Sequence, residues 1–522
     1  MLRHIRRWGD AALNYPYRVY SFSEYWSLLR PTFVSFYFIA FAFLLCLVYY
    51  LVPRKHRWLV LLIGSLLFYA TAGIEALLTI ILSSVVTWLA GLLIEGTEKK
   101  NRRKRRLFLS IGVLTLTAVL MFAKLHRALN LHYQFVVPLG ISYYTFSAIG
   151  YLADVYWSKE QAERNLLRML LFLIFFPKVL EGPISKHRHL APQLATCACF
   201  DYTQFCFGIQ RMLWGYFKKL VIADRLYIFV RTVNGNVDNE TGAHLLVAAV
   251  LSVIALYGDF SGCMDIVCGL SECLSLKLAE NFERPFFSRN ITEFWNRWHI
   301  TLGVWFKDYV YMPIVVTHIL KFSKKMKDRY GTFAGKAALA IPPFTVVWLL
   351  TGLWHGTGWG HIIWGVFWCV LMILTTLFEP WLKKLNGLLH IKEESFGWRL
   401  FQMTRTFVLF MIGGTSTRYS EVSKAWVALG KLFTEFHPEG FFDGSLYSCG
   451  LDRPNFLLGI VCVFILWGTD VLHEHSGSVR ALIAQNNLLF RWVIYYALFF
   501  AVLIFGIYGP GYDASSFIYM QF

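Results

Sequence analysis

The chain has 522 residues, of which 57% are hydrophobic and only 16% are charged. Soluble proteins carry about a quarter charged residues, so this composition excludes an ordinary soluble protein. The formal net charge is +18. The basic surplus lies between apolar segments, which is typical of cytoplasmic loops of a membrane protein and does not indicate a nucleic-acid partner.

The first 32 residues precede the first long apolar segment. They include Arg3, Arg6, Arg7 and Arg18. Counting crossings back from the basic loop at residue 99 places this stretch outside the cell, against the usual preference of basic residues for the cytoplasm. Residues 1–32 are therefore predicted to lie along the membrane surface as an amphipathic segment, ahead of a single membrane domain at 33–522.

Apolar segments then recur to the end of the chain. "FVSFYFIAFAFLLCLVYYLV" at 33–52 and "RWVIYYALFFAVLIFGIYG" at 491–509 are long enough to cross a bilayer as helices. Other apolar stretches are shorter and favour re-entrant or surface helices. The predicted fold is an all-α polytopic membrane protein with about 11 to 13 transmembrane helices.

Three basic loops give the orientation. They are "KKNRRKRR" at 99–106, "KFSKKMKDRYGTFAGK" at 321–336, and the region from Lys383 to Arg399. All three are predicted to be cytoplasmic. The last two bracket a predicted hairpin that turns near residues 354–361.

The turn of that hairpin reads "WHGTGWGH" (354–361). Glycines weaken helix and allow close approach of a backbone or a ligand. Irregular backbone at membrane depth requires burial in protein or a wet cavity. His355 is therefore predicted to face such a cavity.

The segment 256–277 carries a stripe of small and polar residues at helical spacing. Its members are Gly258, Ser261, Gly262, Asp265, Gly269 and Glu272. One interpretation is tight helix packing with a buried hydrogen-bond network. The other is a supporting role at a functional site, for Asp259, Ser261 or Asp265.

The segment "TEFWNRWHITLGVWFKDYVYMPIVV" (292–316) is predicted to be a helix. Its aromatic face would include His299. Glu293 and Arg297 are four residues apart and are predicted to pair. His299 is either a structural histidine bonded to a carbonyl or part of an active-site wall.

No metal site is predicted. In "HEH" at 473–475 the histidines are two residues apart and point to different sides of a helix, unlike the metalloprotease motif. The ten cysteines show no paired metal spacing and imply no disulfide framework, so they are interpreted as small apolar residues.

Five motifs resemble the membrane-bound O-acyltransferase (MBOAT) family, in the bacterial branch of alginate O-acetylase and teichoic-acid D-alanyl transfer membrane proteins. They are "PLGISYYTFSAIGYLADVY" (138–156), "FPKVLEGPI" (176–184), "YGDFSGCMDI" (257–266), "ITEFWNRWHITLGVWFKDYVYMPI" (291–314) and "LTGLWHGTGWGHIIWG" (350–365). The resemblance is concentrated at 135–380 and continues more weakly through additional helices at 400–522.

The resemblance implies a fold built around a central funnel, a catalytic histidine at His355 and a second functional histidine at His299. Further residues are predicted to support the site or to line a substrate tunnel. These are Trp298, Trp354, Asn296, Arg297, Asp308, Asp259, Ser261 and Asp265.

The implied reaction moves an acyl group, with acetyl favoured, from a cytoplasmic thioester to hydroxyls of an exported or cell-wall polysaccharide. The co-substrate would be acetyl-CoA or an acyl carrier protein, with no tightly bound cofactor, and an extracytoplasmic serine-esterase-like partner would complete the transfer. D-alanyl transfer toward teichoic acid is the alternative within the family. A polytopic transporter or flippase is the alternative from another class, for which inverted repeats would be the sign. The predicted location is the plasma membrane of a bacterium.

Overall fold

The computed structural model describes residues 32–128, 138–419 and 421–508. The predicted amphipathic segment at 1–32 lies outside these residues, except for Thr32. Within the described ranges the chain is helical, with one isolated β-bridge between Phe282 and Trp298.

The described residues form twenty-two α-helices, α1 to α22 in chain order, and the first eleven make up the amino-terminal half. They are α1 Phe36–Leu51, α2 Arg57–Ala70, α3 Ile74–Gly96, α4 Arg102–Ala128, α5 Ile141–Tyr156, α6 Leu166–Ile174, α7 Phe176–Val179, α8 His187–Thr196, α9 Tyr202–Tyr216, α10 Asp224–Gly235 and α11 Gly242–Cys273. A π-helical segment, Phe217–Ala223, joins α9 to α10.

The remaining helices form the carboxyl-terminal half. They are α12 Ile291–Arg297, α13 Ile300–Phe306, α14 Met312–Ile314, α15 Leu320–His355, α16 Trp359–Leu388, α17 Phe396–Gly413, α18 Thr415–Arg418, α19 Val422–Thr434, α20 Arg453–Ser476, α21 Val479–Ala484 and α22 Leu488–Phe505. Two π-helical segments, Lys307–Tyr311 and Val315–Ile319, flank α14.

Seven stretches of the described chain are long and apolar enough to cross a membrane. They are Ile74–Gly96, Arg102–Leu125, Gly242–Cys273, Ile300–His355, Trp359–Leu388, Arg453–Ser476 and Leu488–Phe505. The predicted all-α polytopic fold is confirmed. The predicted figure of 11 to 13 crossings stays a prediction, because shorter apolar helices such as α1 fall below this length.

Helices α9 and α11 show why the stripe of small residues exists. A Cβ at Gly208 would lie 2.5 Å from the carbonyl oxygen of Gly269, and one at Gly215 would lie 2.6 Å from that of Gly262. The two backbones are therefore in direct contact, as small residues permit between membrane helices. The packing interpretation of this stripe is confirmed.

The predicted hairpin between the last two basic loops is also present. Gly331, with φ +87°, reverses the chain inside α15, and Ser323 Oγ donates to the carbonyl of Gly335 at 2.7 Å across that reversal. The second half of α15 then runs to His355, and α16 returns beside it.

The helix ends define two ends of the molecule. The basic end contains the segments near 97–106, 321–336 and 383–399. The opposite end contains 236–241, 356–358 and 414–452, where Ser416 Oγ donates to the carbonyl of Gly360 at 3.0 Å.

Acidic residues outnumber basic ones at 236–241 and 421–453, where the charged residues are Asp238, Glu240, Glu421, Glu435, Glu439, Asp443 and Asp452 with Lys424, Lys431 and Arg453.

One prediction about local structure is wrong. The segment 292–316 is not a single helix, because α12 ends at Arg297 and α13 begins at Ile300. Trp298 is extended and forms the β-bridge with Phe282, while His299 has the left-handed angles φ 48° and ψ 50°. The one-faced aromatic stripe is therefore interrupted at His299.

Candidate active site

His355 is the last residue of α15, at the tip of the hairpin. Its ring packs edge-on against two tryptophans, with centroid distances of 4.7 Å to Trp354 and 4.9 Å to Trp364. The imidazole of His361, from the first turn of α16, lies over Gly356, where a Cβ would come within 2.6 Å of the ring. Glycine at 356 therefore allows the two histidines of this motif to share one small region.

His299 is held at the break between α12 and α13. Its carbonyl accepts hydrogen bonds from Leu302 and Gly303, the first turn of α13. A left-handed conformation is unfavourable for a residue with a Cβ and persists only where the surroundings impose it. The surroundings here include Asn281, whose carbonyl accepts from the Ile300 N–H at 3.0 Å and which is next to the bridge between Phe282 and Trp298.

Asn281 also organises the side chains around His299. Its Oδ1 accepts from the backbone N–H of Thr301 at 3.0 Å and from the Thr301 hydroxyl at 2.7 Å, and it faces His299 Nδ1 at 3.4 Å. The Thr301 hydroxyl in turn accepts from the N–H of Ile184 at 3.0 Å. An acceptor facing Nδ1 favours the tautomer that carries its proton there.

Trp354 connects the two histidines. Its ring centroid is 5.9 Å from that of His299 and 4.7 Å from that of His355. Tyr143 and Phe146 of α5 pack on the same indole, at 5.9 and 5.8 Å. Three separate sequence motifs thus converge on Trp354.

A cavity of about 920 Å³ reaches both histidines. Its walls come from α10, α11, α12, α13, α15, α16, α17 and α18 and are mostly aromatic and aliphatic. The basic and polar side chains along it are Arg231, Asn234, Ser252, Thr292, Asn296, His299, Lys307, Thr351, His355, His361, Thr417 and Arg418. Among the described residues that line it there is no aspartate or glutamate.

Four of the predicted site residues line this cavity, namely His299, His355, Trp298 and Asn296. Trp354 is buried behind the two rings. Arg297 instead pairs with Glu293 at 2.9 Å, as predicted, and with Glu474 at 3.1 Å. Asp308 forms an ion pair with Lys186.

The three predicted residues of α11 lie in a different setting, a group of mostly buried ion pairs that we call the ion-pair network. Asp259 accepts from Lys219 at 2.6 Å, Ser261 accepts from Lys218 at 2.8 Å, and Asp265 pairs with Lys218 at 2.7 Å. The members of the network are Arg211, Lys218, Lys219, Asp224, Asp259, Asp265, Glu272, Glu280 and Arg480.

Sequence reasoning missed several residues that the fold brings to the site. His361 is part of the glycine-rich motif and could have been included. Asn281 lies in an irregular segment with no motif, and only the bridge to Trp298 places it beside His299. Arg231, Lys307 and Arg418 belong to three distant helical segments whose convergence is a property of the fold.

The fold and the site together define a polytopic membrane protein with a histidine-containing cavity inside its helical bundle. The sequence profile of the MBOAT, membrane-bound O-acyltransferase, family matches residues 158–337. The chain is 30% identical to a probable alginate O-acetylase of Azotobacter vinelandii over 401 residues, which cover 74% of each protein.

Two further relatives have other names. A peptidoglycan O-acetyltransferase of Helicobacter pylori is 30% identical over 349 residues, covering 59% of this chain and 62% of the relative. A teichoic acid D-alanyltransferase of Bacillus subtilis is 32% identical over 253 residues, covering 48% of this chain and 62% of the relative. The chain belongs to the MBOAT family and is an O-acyltransferase, a multi-pass protein of the bacterial cell membrane.

Proposed function

We propose that this protein transfers an acetyl group from a cytoplasmic thioester to hydroxyl groups of an exported or cell-wall polysaccharide, with His355 as the general base. The observation that carries the proposal is the cavity that brings His299 and His355 together at the tip of the hairpin. Acyl transfer to a hydroxyl needs a base that works near neutral pH, and histidine is the usual choice.

The proposed chemistry uses only the two substrates and the chain's own side chains. His355 takes the proton of the acceptor hydroxyl as its oxygen forms a bond to the thioester carbonyl carbon. The carbon–sulfur bond then breaks, and the proton passes from His355 to the departing thiolate. No redox partner or bound metal is needed.

His299 is proposed to act next to the reacting carbonyl. With its Nδ1 proton directed at Asn281, a neutral ring offers a lone pair at Nε2. It would stabilise the developing oxyanion only as an imidazolium, which donates from both nitrogens. A neutral His299 would instead orient the acceptor hydroxyl.

The direction of transfer is proposed from charge. The basic end is placed in the cytoplasm because Lys and Arg accumulate on cytoplasmic loops. Lys307 lines the cavity from a helical segment that leads toward the basic end. Arg231 and Arg418 line it near the opposite end. These cations suit the phosphates of a CoA or carrier-bound thioester on one side and an anionic polymer on the other.

O-acetylation is favoured over D-alanyl transfer by the extent of similarity. The alignment with an alginate O-acetylase covers 74% of this chain, and that with a teichoic acid D-alanyltransferase covers 48%. The donor is proposed to be acetyl-CoA or an acyl carrier protein, and an extracytoplasmic serine-esterase-like protein is proposed to complete delivery to the polymer.

The test is thioester consumption by the purified protein in proteoliposomes. Radiolabelled acetyl-CoA is supplied on one side, a soluble oligosaccharide and the proposed serine-esterase-like partner are supplied on the other, and the labelled ester is quantified. We expect His355→Ala to lower the rate by about 10²–10⁴-fold, the range for loss of a general base.

The matched control is His318→Ala, which removes an exposed histidine outside the cavity lining and should retain full activity. Folding of both variants is checked by gel filtration in detergent. A well-folded His355→Ala protein that transfers acetyl at the native rate would refute the assignment. Acetate or sugar flux without ester formation would favour a transporter.

A further inference from the structure

A second group of chemically reactive side chains lies at the opposite end of the molecule, and none of its members lines the cavity. Glu240 precedes α11, His244 lies in its first turn, and Cys449 belongs to the segment between α19 and α20. One ligand atom from each converges so that all three lie within 4.8 Å of one another. The sequence carries no motif for this group, because Cys449 is 205 residues from His244.

His244 and Cys449 are buried, Glu240 is partly buried, and the three side chains face each other. His244 Nδ1 is 2.7 Å from Glu240 Oε2 and 3.9 Å from Cys449 Sγ. Side-chain exposure is 12% for Glu240 and 9% for His244, and Cys449 is 4% exposed. A carboxylate, an imidazole nitrogen and a sulfur at one buried point form a donor set suited to zinc.

The second nitrogen of His244 is also fixed. Nε2 lies 2.7 Å from the hydroxyl of Ser445, and that hydroxyl is within 3.4 Å of the carbonyl oxygen of Gly440. In a metal-bound form Nε2–H donates to Ser445 Oγ, and the Ser445 hydroxyl donates to Gly440. Metal-binding histidines characteristically have their other nitrogen held by such a partner.

The chain Ser445–His244–Glu240 also has the order of a nucleophile, base and orienting carboxylate. The backbone N–H of Ser445, however, donates to Asp443 Oδ1 at 2.8 Å. A carboxylate beside the hydroxyl would oppose the negative charge that develops in acyl transfer. A hydrolytic site is therefore disfavoured.

We propose that Glu240, His244 and Cys449 bind a zinc ion, with water as the fourth ligand. The charges balance, because a carboxylate and a thiolate neutralise a divalent cation. The ion would fasten the 436–450 segment to the start of α11. That junction is next to Asn234 and Gly235, which line the cavity at the end of α10.

The two distances from His244 need only small adjustments for this geometry, and the Glu240–Cys449 separation lies within 4.8 Å. Tetrahedral zinc with ordinary bond lengths places nitrogen about 3.4 Å from oxygen and about 3.6 Å from sulfur. The His244–Glu240 separation of 2.7 Å would lengthen and the His244–Cys449 separation of 3.9 Å would shorten. Lys431 Nζ donates to the carbonyl of Asp238 at 2.7 Å and so already fixes the loop that carries Glu240.

The test is the metal content of the full-length protein, purified in detergent from zinc-supplemented cells without metal-affinity resin. Elemental mass spectrometry should give about one zinc per chain in the unaltered protein, as a site with three protein ligands and a water predicts. His244→Ala and Cys449→Ser should lose most of this zinc. Ser445→Ala should weaken zinc binding by about 10–100-fold, the usual effect of removing a supporting partner.

Cys462→Ser is the matched control, since it removes another buried cysteine that is not part of this cluster. Cobalt(II) loading gives an independent readout, because thiolate-to-cobalt absorption should appear with the control and be absent with Cys449→Ser. If a variant of one of the three zinc ligands fails to fold, the zinc affinity of Ser445→Ala still tests the proposed site. A protein with no stoichiometric zinc, or zinc content and affinity unchanged in Cys449→Ser and Ser445→Ala, would overturn the site.

Discussion

The cavity at His299 and His355 and the ion-pair network around α11 are both buried groups of polar side chains, but their charges are arranged in opposite ways. In the network, Lys219 lies within 2.8 Å of two carboxylates. The described lining of the cavity contains Arg231, Lys307 and Arg418 together with three histidines and no carboxylate. Buried charges that neutralise one another hold helices together, whereas charges around an open cavity are available to a substrate.

The largest expected effect is on the network. Lys219→Met leaves Asp224 and Asp259 buried without their shared cation, and removing one partner of a buried pair costs about 3–5 kcal/mol. Thermal unfolding in detergent should show a strongly destabilised protein. The rate of acyl transfer per folded molecule should stay near normal.

The matching control for this variant is the neutral triple change Lys219→Met, Asp224→Asn and Asp259→Asn. It removes the unbalanced charge while keeping the side-chain shapes, so much of the lost stability should return. If the triple variant is as unstable as Lys219→Met alone, packing rather than charge holds this region. If the single variant is stable but inactive, the comparison between network and cavity fails.

The next effect concerns Asn281, which contacts His299 but lies outside the cavity lining. Asn281→Ala releases His299 Nδ1 and both hydrogen bonds from Thr301. Because a displacement of about 1 Å in a catalytic group can lower a rate by about 10²-fold, we expect a 10–100-fold loss in kcat with little change in KM. Steady-state kinetics across pH would measure both.

Asn281→Ser is the partial rescue, since a hydroxyl can still accept from Thr301. Its activity should lie between that of the unaltered protein and that of Asn281→Ala. Equal activity of Asn281→Ala and the unaltered protein would mean that His299 needs no such orientation.

A smaller effect is expected at the cations of the cavity. Lys307→Gln should raise the KM for the thioester donor, and Arg231→Gln should raise the KM for an anionic acceptor, each by roughly tenfold, the value of one charged hydrogen bond. The two changes should not affect the same substrate. Raising the salt concentration should reduce both differences, because screening weakens exposed charge interactions. A Lys307→Gln protein that changes only acceptor binding would reverse the proposed direction.

The sequence was sufficient for the helical membrane fold, the hairpin and the region of His355, because hydropathy, basic loops and glycines act locally. It was insufficient at His299, where the segment 292–316 fits a helical period but the bridge to Phe282 breaks it. Likewise, the sequence alone does not distinguish Asp259 and Asp265 from residues of a functional site. Their partners Lys218 and Lys219 are 40 or more residues away, so only the fold shows that they are neutralised.

The smallest effect is expected at Asp308, which sequence reasoning grouped with the substrate tunnel. Its partner is Lys186, and the side chains of the pair are 30% and 18% exposed. Partly exposed ion pairs contribute about 0–1 kcal/mol, so Asp308→Asn should change thermal stability only slightly and leave kcat and both KM values near normal. Lys186→Met, which removes the other partner, should behave the same way. A large loss of activity in Asp308→Asn with normal activity in Lys186→Met would mean that the carboxylate meets a substrate directly, and the division between paired groups and cavity groups would then have to be drawn elsewhere.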